Sequence, residues 1–348
     1  MKKPLISVIV PVYNGEDYIA GSIEALLANN YPKDKFEIII VDNGSVDSTE
    51  QIIKRYIKGL NPVKYIKELK CGAAQSRNTG ASVAQGEILA FIDSDAFANK
   101  DWLMVIEETL ADSNVDGVMG ITLGINRNLW AEFFQRQYEE FFLADRMKER
   151  DRLSKIDTKN FALKKSVFSK VGGLNTAIAS SEDVEYGLRL YFRGYRSILN
   201  EKMVVQHLNP TELERDIKTK RGQTFFHYRI ALLYREARDD LRKKTGNDLF
   251  GPRYDHLVGF LVFRDRKFLR LQVTFLKFIF PPLILSLTLL LKLLHALGLR
   301  NKLYKLYLKT ICFVTWHGGI LSIGFEKGFF HVDLANDTKL FRRARKNE

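Results

Sequence analysis

Gly86-Glu87-Ile88-Leu89-Ala90-Phe91-Ile92-Asp93-Ser94-Asp95 carries five consecutive apolar residues straight into two carboxylates that flank a serine. Such a run lacks the alternation of a half-exposed strand and fits one buried on both faces, as in a parallel sheet covered by helices. The change at Asp93 marks the strand's carboxyl end. Two earlier runs behave the same way. Leu5 to Val12 closes in Pro11 to Asn14, and Phe36 to Val41 closes in the turn-forming Asp42-Asn43-Gly44-Ser45. Helical spacing fills the gaps. Glu16 to Ala28 repeats through Ile19, Ile23, Leu26 and Leu27, and Ser48-Thr49-Glu50-Gln51 has capping-box spacing ahead of Ile52, Ile53, Tyr56 and Ile57. Val63 to Ile66 reads as a short strand and Ser76 to Ala84 as a small-residue helix. This alternation predicts an α/β fold, Rossmann-like, with a mostly parallel sheet and flanking helices. Ligands of such sheets bind beyond the carboxyl ends of the strands, so the three polar strand ends should share one rim.

Further along, Asn99 to Leu153 looks helical and aromatic, with Trp130, Phe133, Phe134, Tyr138, Phe141 and Phe142. That cluster reads either as a packed face or as a surface for an acceptor. Gly172-Gly173-Leu174 opens a loop to Ser181, and Glu182 to Arg193 then reads as a helix. Val184, Leu188, Tyr191 and Phe192 share one side, Glu185 and Arg189 are spaced to pair, and Gly194 stops it.

Several of these residues can carry chemistry. Asp93 and Asp95 can hold a hard divalent cation, Mn²⁺ or Mg²⁺, which in turn grips a diphosphate. Asp42 can accept hydrogen bonds from a nucleobase or a ribose, or can form an Asx turn. Arg77 can pair with phosphate or hold a carboxylate in place. Asp183 can take a proton from an attacking hydroxyl, or can sit with Ser180 as a helix-start pair.

Six segments in order give this chain a resemblance to glycosyltransferase family 2. They are Ile6-Ser7-Val8-Ile9-Val10-Pro11-Val12-Tyr13-Asn14; Ile40-Val41-Asp42-Asn43-Gly44-Ser45-Val46-Asp47-Ser48-Thr49; Gly72-Ala73-Ala74-Gln75-Ser76-Arg77-Asn78; residues 86–95; Gly172-Gly173-Leu174; and Ser181-Glu182-Asp183-Val184-Glu185-Tyr186-Gly187-Leu188-Arg189. The resemblance covers about residues 5–207. It implies a GT-A fold, a nucleotide-diphospho-sugar donor (a UDP-sugar favoured) and inversion at the anomeric carbon. It implies that Pro11, Val12, Tyr13, Glu16, Asp42, Gly72 and Arg77 line the nucleotide pocket, with Asp93 and Ser94 near the ribose and diphosphate. Asp95 would hold the metal, together with His207. Asp183 would be the base, with Glu182 beside the acceptor. Asn43 departs from the second aspartate of many relatives, and Val46 from their threonine. No Gln-x-x-Arg-Trp follows the base, which points away from processive synthases.

The totals agree with an enzyme of this kind. The chain has 348 residues, 46% of them hydrophobic, with a net charge of +13 and two cysteines, Cys71 and Cys312. Disordered and disulfide-framed classes are excluded, and a cytosolic setting is expected. A catalytic domain over 1–212 and a helical, apolar, basic region over 213–348 are expected. In that region 268–280, 283–299 and 306–325 are apolar; the region reads as helices in the cytoplasmic face of a membrane, as a transmembrane hairpin of 282–299 and 306–325, or as a soluble helical subdomain or oligomer interface. The membrane readings bring an anionic lipid surface as a partner and a saccharide or polyprenyl-linked saccharide as the acceptor. Rival functions are a nucleotidyltransferase, an inactive scaffold and a nucleic-acid binder. The first usually carries a Gly-rich, Lys/Arg-bearing phosphate loop after the first strand, where this chain has Pro11-Val12-Tyr13-Asn14-Gly15; retention of Asp42, Asp93, Asp95 and Asp183 together speaks against the second; and no recognition motif supports the third, so no nucleic-acid partner is expected.

Overall fold

A computed structural model describes residues 3–57, 62–178 and 180–211, with seven isolated positions beyond. The chain divides into two compact units, Met1–Thr211 and Glu212–Glu348. Most of the second unit, including nearly all of its three apolar stretches, lies outside the described residues. Among the described residues no helix is long and apolar enough to cross a membrane.

The first unit is built on eight strands: β1 (Ile6–Val12), β2 (Phe36–Asp42), β3 (Val63–Lys67), β4 (Ile88–Ile92), β5 (Ala96–Ala98), β6 (Gly117–Gly124), β7 (Asn160–Lys164) and β8 (Ser197–His207). They form one sheet in the order β3-β2-β1-β4-β7-β6-β8-β5. The half from β3 to β4 is parallel, as the uninterrupted apolar runs predict; every residue of β2 and of β4 is buried. Beyond β4 the sheet is mixed. β7 runs antiparallel to both β4 and β6, β8 runs parallel to β6, and β5 is antiparallel to β8.

The helices are α1 (Ile19–Leu27), α2 (Thr49–Tyr56), α3 (Ala73–Val83), α4 (Trp102–Leu110), α5 (Leu129–Gln137), α6 (Ala144–Lys148), α7 (Lys165–Val171) and α8 (Glu182–Phe192). A π-helical turn, Tyr138–Leu143, joins α5 to α6. Two apolar clusters cover the two sheet faces. One gathers Ile23, Ile40, Trp102 and Val205; the other gathers Ile9, Phe91, Phe161 and Tyr186. Alternate residues of β1 enter each, which is why its sequence is apolar throughout.

Two local expectations are corrected. The stretch 99–153 is not all helical, because β6 lies inside it. Its segment Gly-Val-Met-Gly-Ile-Thr-Leu-Gly is glycine-rich because the backbone is crowded: a Cβ on Gly120 would sit 1.9 Å from the Met203 carbonyl. Asn160, 1% exposed, holds this irregular crossing by donating to the Ile121 and Met203 carbonyls and accepting from the Trp102 indole. The capping box at Ser48 also does not form. Ser48 holds the N-cap position without a side-chain bond, and Asp47 before it accepts from the Thr49 N–H at 3.0 Å.

Candidate active site

The carboxyl ends of β1, β2 and β4 meet at one rim, and the chain's polar loops gather there. Ile92 is the last paired residue of β4, opposite Asn160 of β7. A turn then closes from the Asp93 carbonyl to the Ala96 N–H at 3.1 Å. Asp93 and Asp95 emerge half-buried while Ser94 turns inward at 8% exposure. Ala96 begins β5, which pairs Ala96 with His207 at the end of β8. This brings His207 Nε2 to 3.2 Å from Asp95 Oδ1 across 112 residues of chain. The other ring nitrogen lies 3.2 Å from Asn209 Oδ1, so the ring is oriented from behind.

Asp93, Asp95 and His207 offer three ligand atoms within 4.8 Å of one another. Two hard oxygens and one imidazole nitrogen suit Mn²⁺, or Mg²⁺ less fully. The surrounding charge fits too. Asp93, Asp95, Asp157, Glu182 and Asp183 face the fixed cations Arg77 and Lys159, so the rim carries excess negative charge. Burial opposes ionisation of both Asp95 and His207, but their mutual attraction wins. Asp95 lies below the usual carboxylate range and His207 above its ordinary value.

Arg77 projects from α3 into the centre of the rim, 4% exposed. Its Nη2 donates to Asp93 Oδ1 at 2.6 Å and its Nη1 to Glu182 Oε1 at 2.9 Å. One guanidinium thus ties the end of β4 to the start of α8. The position of α8 is secured at two further points. Asn78 exchanges a reciprocal pair of hydrogen bonds with the Leu174 backbone, both 2.8 Å. Arg189 grips Glu185 with two bonds, as the i,i+4 spacing predicts, and donates to the Gly173 carbonyl. Gly194, at φ 85°, ends the helix in the expected way.

Asp183 sits in the first turn of α8, half-buried, with Oδ1 accepting from the Val184 N–H at 2.8 Å. Ser181 precedes it in a left-handed conformation, φ 68°, which is rare outside glycine and asparagine. Ser181 rather than Ser180 occupies the N-cap position. The Asp183 carboxyl is pushed up to about 8, first by burial and then by Glu182 and Asp157 nearby. A carboxyl that changes charge near neutrality thus starts α8, within the field of Arg77.

The residues expected at the nucleotide are placed unevenly. Tyr13 is 58% exposed at the end of β1, an open ring face on the rim. Pro11 is half-buried and pairs with Val41. Val12 points into the core at 2% exposure, and its carbonyl accepts from the Asn43 N–H. Asp42 is fully buried. Its two oxygens accept from the Ser45 N–H at 2.8 Å and the Tyr65 hydroxyl at 2.9 Å, so it shapes the 43–45 loop. Glu16 ties the loop between β1 and α1 to the start of α2 by accepting from the Ser48 N–H, while Asp47 accepts from the Glu16 N–H. Gly72 opens α3 at φ 127°, and its N–H donates to Asn43 Oδ1. Asn43 also donates to the carbonyls of Glu68 and Lys70, so it folds the 68–72 loop against the rim. An aspartate at 43 has no N–H for either carbonyl, which gives a physical reason for the departure at this position.

Residues 7–172 match the family model described as glycosyl transferase family 2. The glycosyltransferase AglE of Haloferax volcanii is 31% identical over 196 residues, which are 55% of this chain and 63% of AglE. The poly(ribitol-phosphate) beta-N-acetylglucosaminyltransferase TarS of Staphylococcus aureus is 35% identical over 121 residues, 34% of this chain and 21% of TarS. The match therefore spans less than two thirds of either relative's own length. Among solved structures, the mannosyltransferase PcManGT from Pyrobaculum calidifontis, in complex with GDP-Man and Mn²⁺, shares the fold. It superposes with a TM-score of 0.63 at 20% identity, covering 94% of this chain and 89% of its own. The parallel half-sheet and the paired aspartates after β4 fall within the residues that match glycosyl transferase family 2, and the Glu182-Asp183 helix start lies just beyond them in the same compact unit.

Proposed function

We propose that this protein is an inverting, metal-dependent glycosyltransferase that moves a sugar from a nucleotide-diphospho-sugar, a UDP-sugar favoured, to a hydroxyl of a saccharide or lipid-linked saccharide in cell-surface glycan synthesis. The observation that carries the reading is the convergence of Asp93, Asp95 and His207 beside Arg77, Glu182 and Asp183. A divalent cation held by the first three would neutralise charge on a nucleoside diphosphate as it departs. Arg77 fixes Asp93 and Glu182 in register, so donor and acceptor ends of the site keep one geometry. Asp183 takes the acceptor hydroxyl's proton, and its raised pKa makes it a stronger base once ionised. Single displacement needs one such carboxylate on the face opposite the leaving group. The open ring of Tyr13 supplies a surface on which a base can stack.

The test is a thermal-shift screen of UDP-, GDP-, CMP- and dTDP-sugars with and without Mn²⁺. One nucleotide class is expected to raise the melting temperature only when Mn²⁺ is present, and Asp95→Ala is expected to abolish that shift and reduce transfer at least ~10²-fold. Stabilisation that ignores Mn²⁺, or survives Asp95→Ala, removes the metal from the mechanism.

We propose further that residues 212–348 hold the enzyme on the cytoplasmic face of an anionic membrane. Residues 1–211 contain 27 Lys and Arg against 28 Asp and Glu, whereas residues 212–348 contain 27 against 13, so the net charge of +13 resides entirely in the second unit. Within that unit Leu289, Leu290, Leu293 and Leu297 are exposed at helical spacing. Apolar side chains beside cationic ones suit the boundary between headgroups and acyl chains. The full chain should pellet with vesicles containing phosphatidylglycerol and stay in solution with neutral phosphatidylcholine. Equal behaviour with both vesicle types overturns the anionic preference.

A further inference from the structure

The antiparallel pairing of β4 with β7 places a basic residue next to the candidate cation site. Ile92 and Asn160 form the last pair of this ladder, and the next residues beyond it on the two chains are Asp93 and Lys159. The Lys159 side chain is held rather than free. Its ammonium lies 3.2 Å from Asp157 Oδ2 and 5.5 Å from the centre of the Tyr138 ring, and the Tyr138 hydroxyl accepts from the Thr122 N–H. Asp157 also accepts from the Lys159 backbone N–H at 3.0 Å, so both ends of the residue are fixed to one carboxylate. The ammonium's field reaches Asp93, Asp95 and His207. At 31% side-chain exposure it has room for a further acceptor, and it carries three donors. Arg77 differs: it is nearly buried, and two carboxylates already bind its guanidinium.

A fixed positive charge at this place has effects of opposite sign on two ligands. It repels a bare divalent cation bound to Asp93, Asp95 and His207. It attracts the complex of that cation with a diphosphate, because the complex as a whole is anionic. We propose that Lys159 couples metal and donor binding, weakening the metal alone and strengthening the metal with a nucleoside diphosphate. This rests on the metal reading above. It adds a residue to that site and a reason for metal and donor to bind together. The coupling is reciprocal, as any binding linkage must be.

The experiment measures two affinities by calorimetry in the full chain: Mn²⁺ alone, and UDP or GDP at saturating Mn²⁺. Lys159→Gln retains a donor for Asp157, so the fold is kept. It is expected to bind Mn²⁺ alone about 10-fold more tightly and the nucleoside diphosphate about 10-fold more weakly, the size expected for one charge at short range in a partly solvated site. The matching nucleoside monophosphate should be much less affected, and Lys159→Arg should restore both affinities. If wild type binds Mn²⁺ and diphosphate while Lys159→Gln leaves both unchanged, or weakens both, the coupling is wrong and the metal site stands. If wild type fails to bind Mn²⁺, the metal reading falls and the coupling falls with it. Lys159→Met repeats the test without any donor, and loss of the opposite signs there overturns the proposal as well.

Discussion

Asp183→Asn is expected to lower transfer by about 10²–10⁴-fold, the usual contribution of a positioned base, and at the same time to stabilise the ligand-free protein at alkaline pH. Both effects come from one feature. Burial, Glu182 and Asp157 raise the Asp183 pKa to about 8, against the pull of the Val184 N–H and Arg77. In the unfolded chain an aspartate titrates near 4. Between those values the folded protein keeps a proton that the unfolded chain has released. Stability therefore falls as pH rises from about 4 to about 8, and the full penalty is present above 8. Asparagine never ionises and escapes that penalty. A difference of roughly 1–3 kcal/mol in favour of the variant is expected at pH 8.5, fading toward pH 4. It is set below the ~1.4 kcal/mol per unit of the whole shift because the half-buried carboxylate is partly screened. Melting curves of both proteins across this range give the answer. In the active enzyme kcat/KM should climb with pH toward about 8, with the limb moved to lower pH when the neighbouring cation site is filled. Equal melting temperatures at pH 8.5 would contradict the electrostatic strain, and wild-type rates in the variant would remove the base assignment.

The parallel half of the fold is legible in the sequence because its strands are buried on both faces. An apolar run such as Ile88 to Ile92 has few other readings, and the Asp that ends it points to the rim. The mixed half is not legible in the same way. β6 hides its strand character behind three glycines, which backbone crowding requires, and β7 is five residues long. This has a consequence for the site. A wholly parallel sheet would send the start of β7 to the opposite end from Asp93. The observed antiparallel pairing sends it to the rim, and Asp157 and Lys159 arrive with it. No local pattern marks those two residues; their chemistry comes from sheet topology. Asp42 shows the reverse case. Its position after an apolar strand is clear, yet the same position admits a nucleobase acceptor and an Asx-type loop former. The Tyr65 hydroxyl, supplied by the next strand, and the Ser45 N–H together engage both of its oxygens.

Arg77→Met should be the most damaging substitution to the fold of the rim. Arg77 is 4% exposed and lies between Asp93, 16 residues away, and Glu182, 105 residues away. Removing one partner of a buried ion pair leaves the other charge uncompensated and typically costs about 3–5 kcal/mol. Here two carboxylates lose their partner, and Asp183 lies beside them, so the expected loss is at the upper end of that range. For a unit of this size a loss of about 5 kcal/mol corresponds to a fall of roughly 10–20 °C in melting temperature. Arg77→Lys keeps the charge but has a single nitrogen where the guanidinium uses two, so it can satisfy Asp93 or Glu182 but not both in the observed geometry. It should recover part of the stability and little of the activity. The double variant Arg77→Met with Glu182→Gln removes one of the orphaned charges and should be more stable than Arg77→Met alone, by about 0.5–3 kcal/mol of coupling. If instead the two substitutions add without coupling, the guanidinium is not the tie between β4 and α8. The orientation of Asp183 would then rest on Asn78 and Arg189, which hold the preceding loop and the body of the helix.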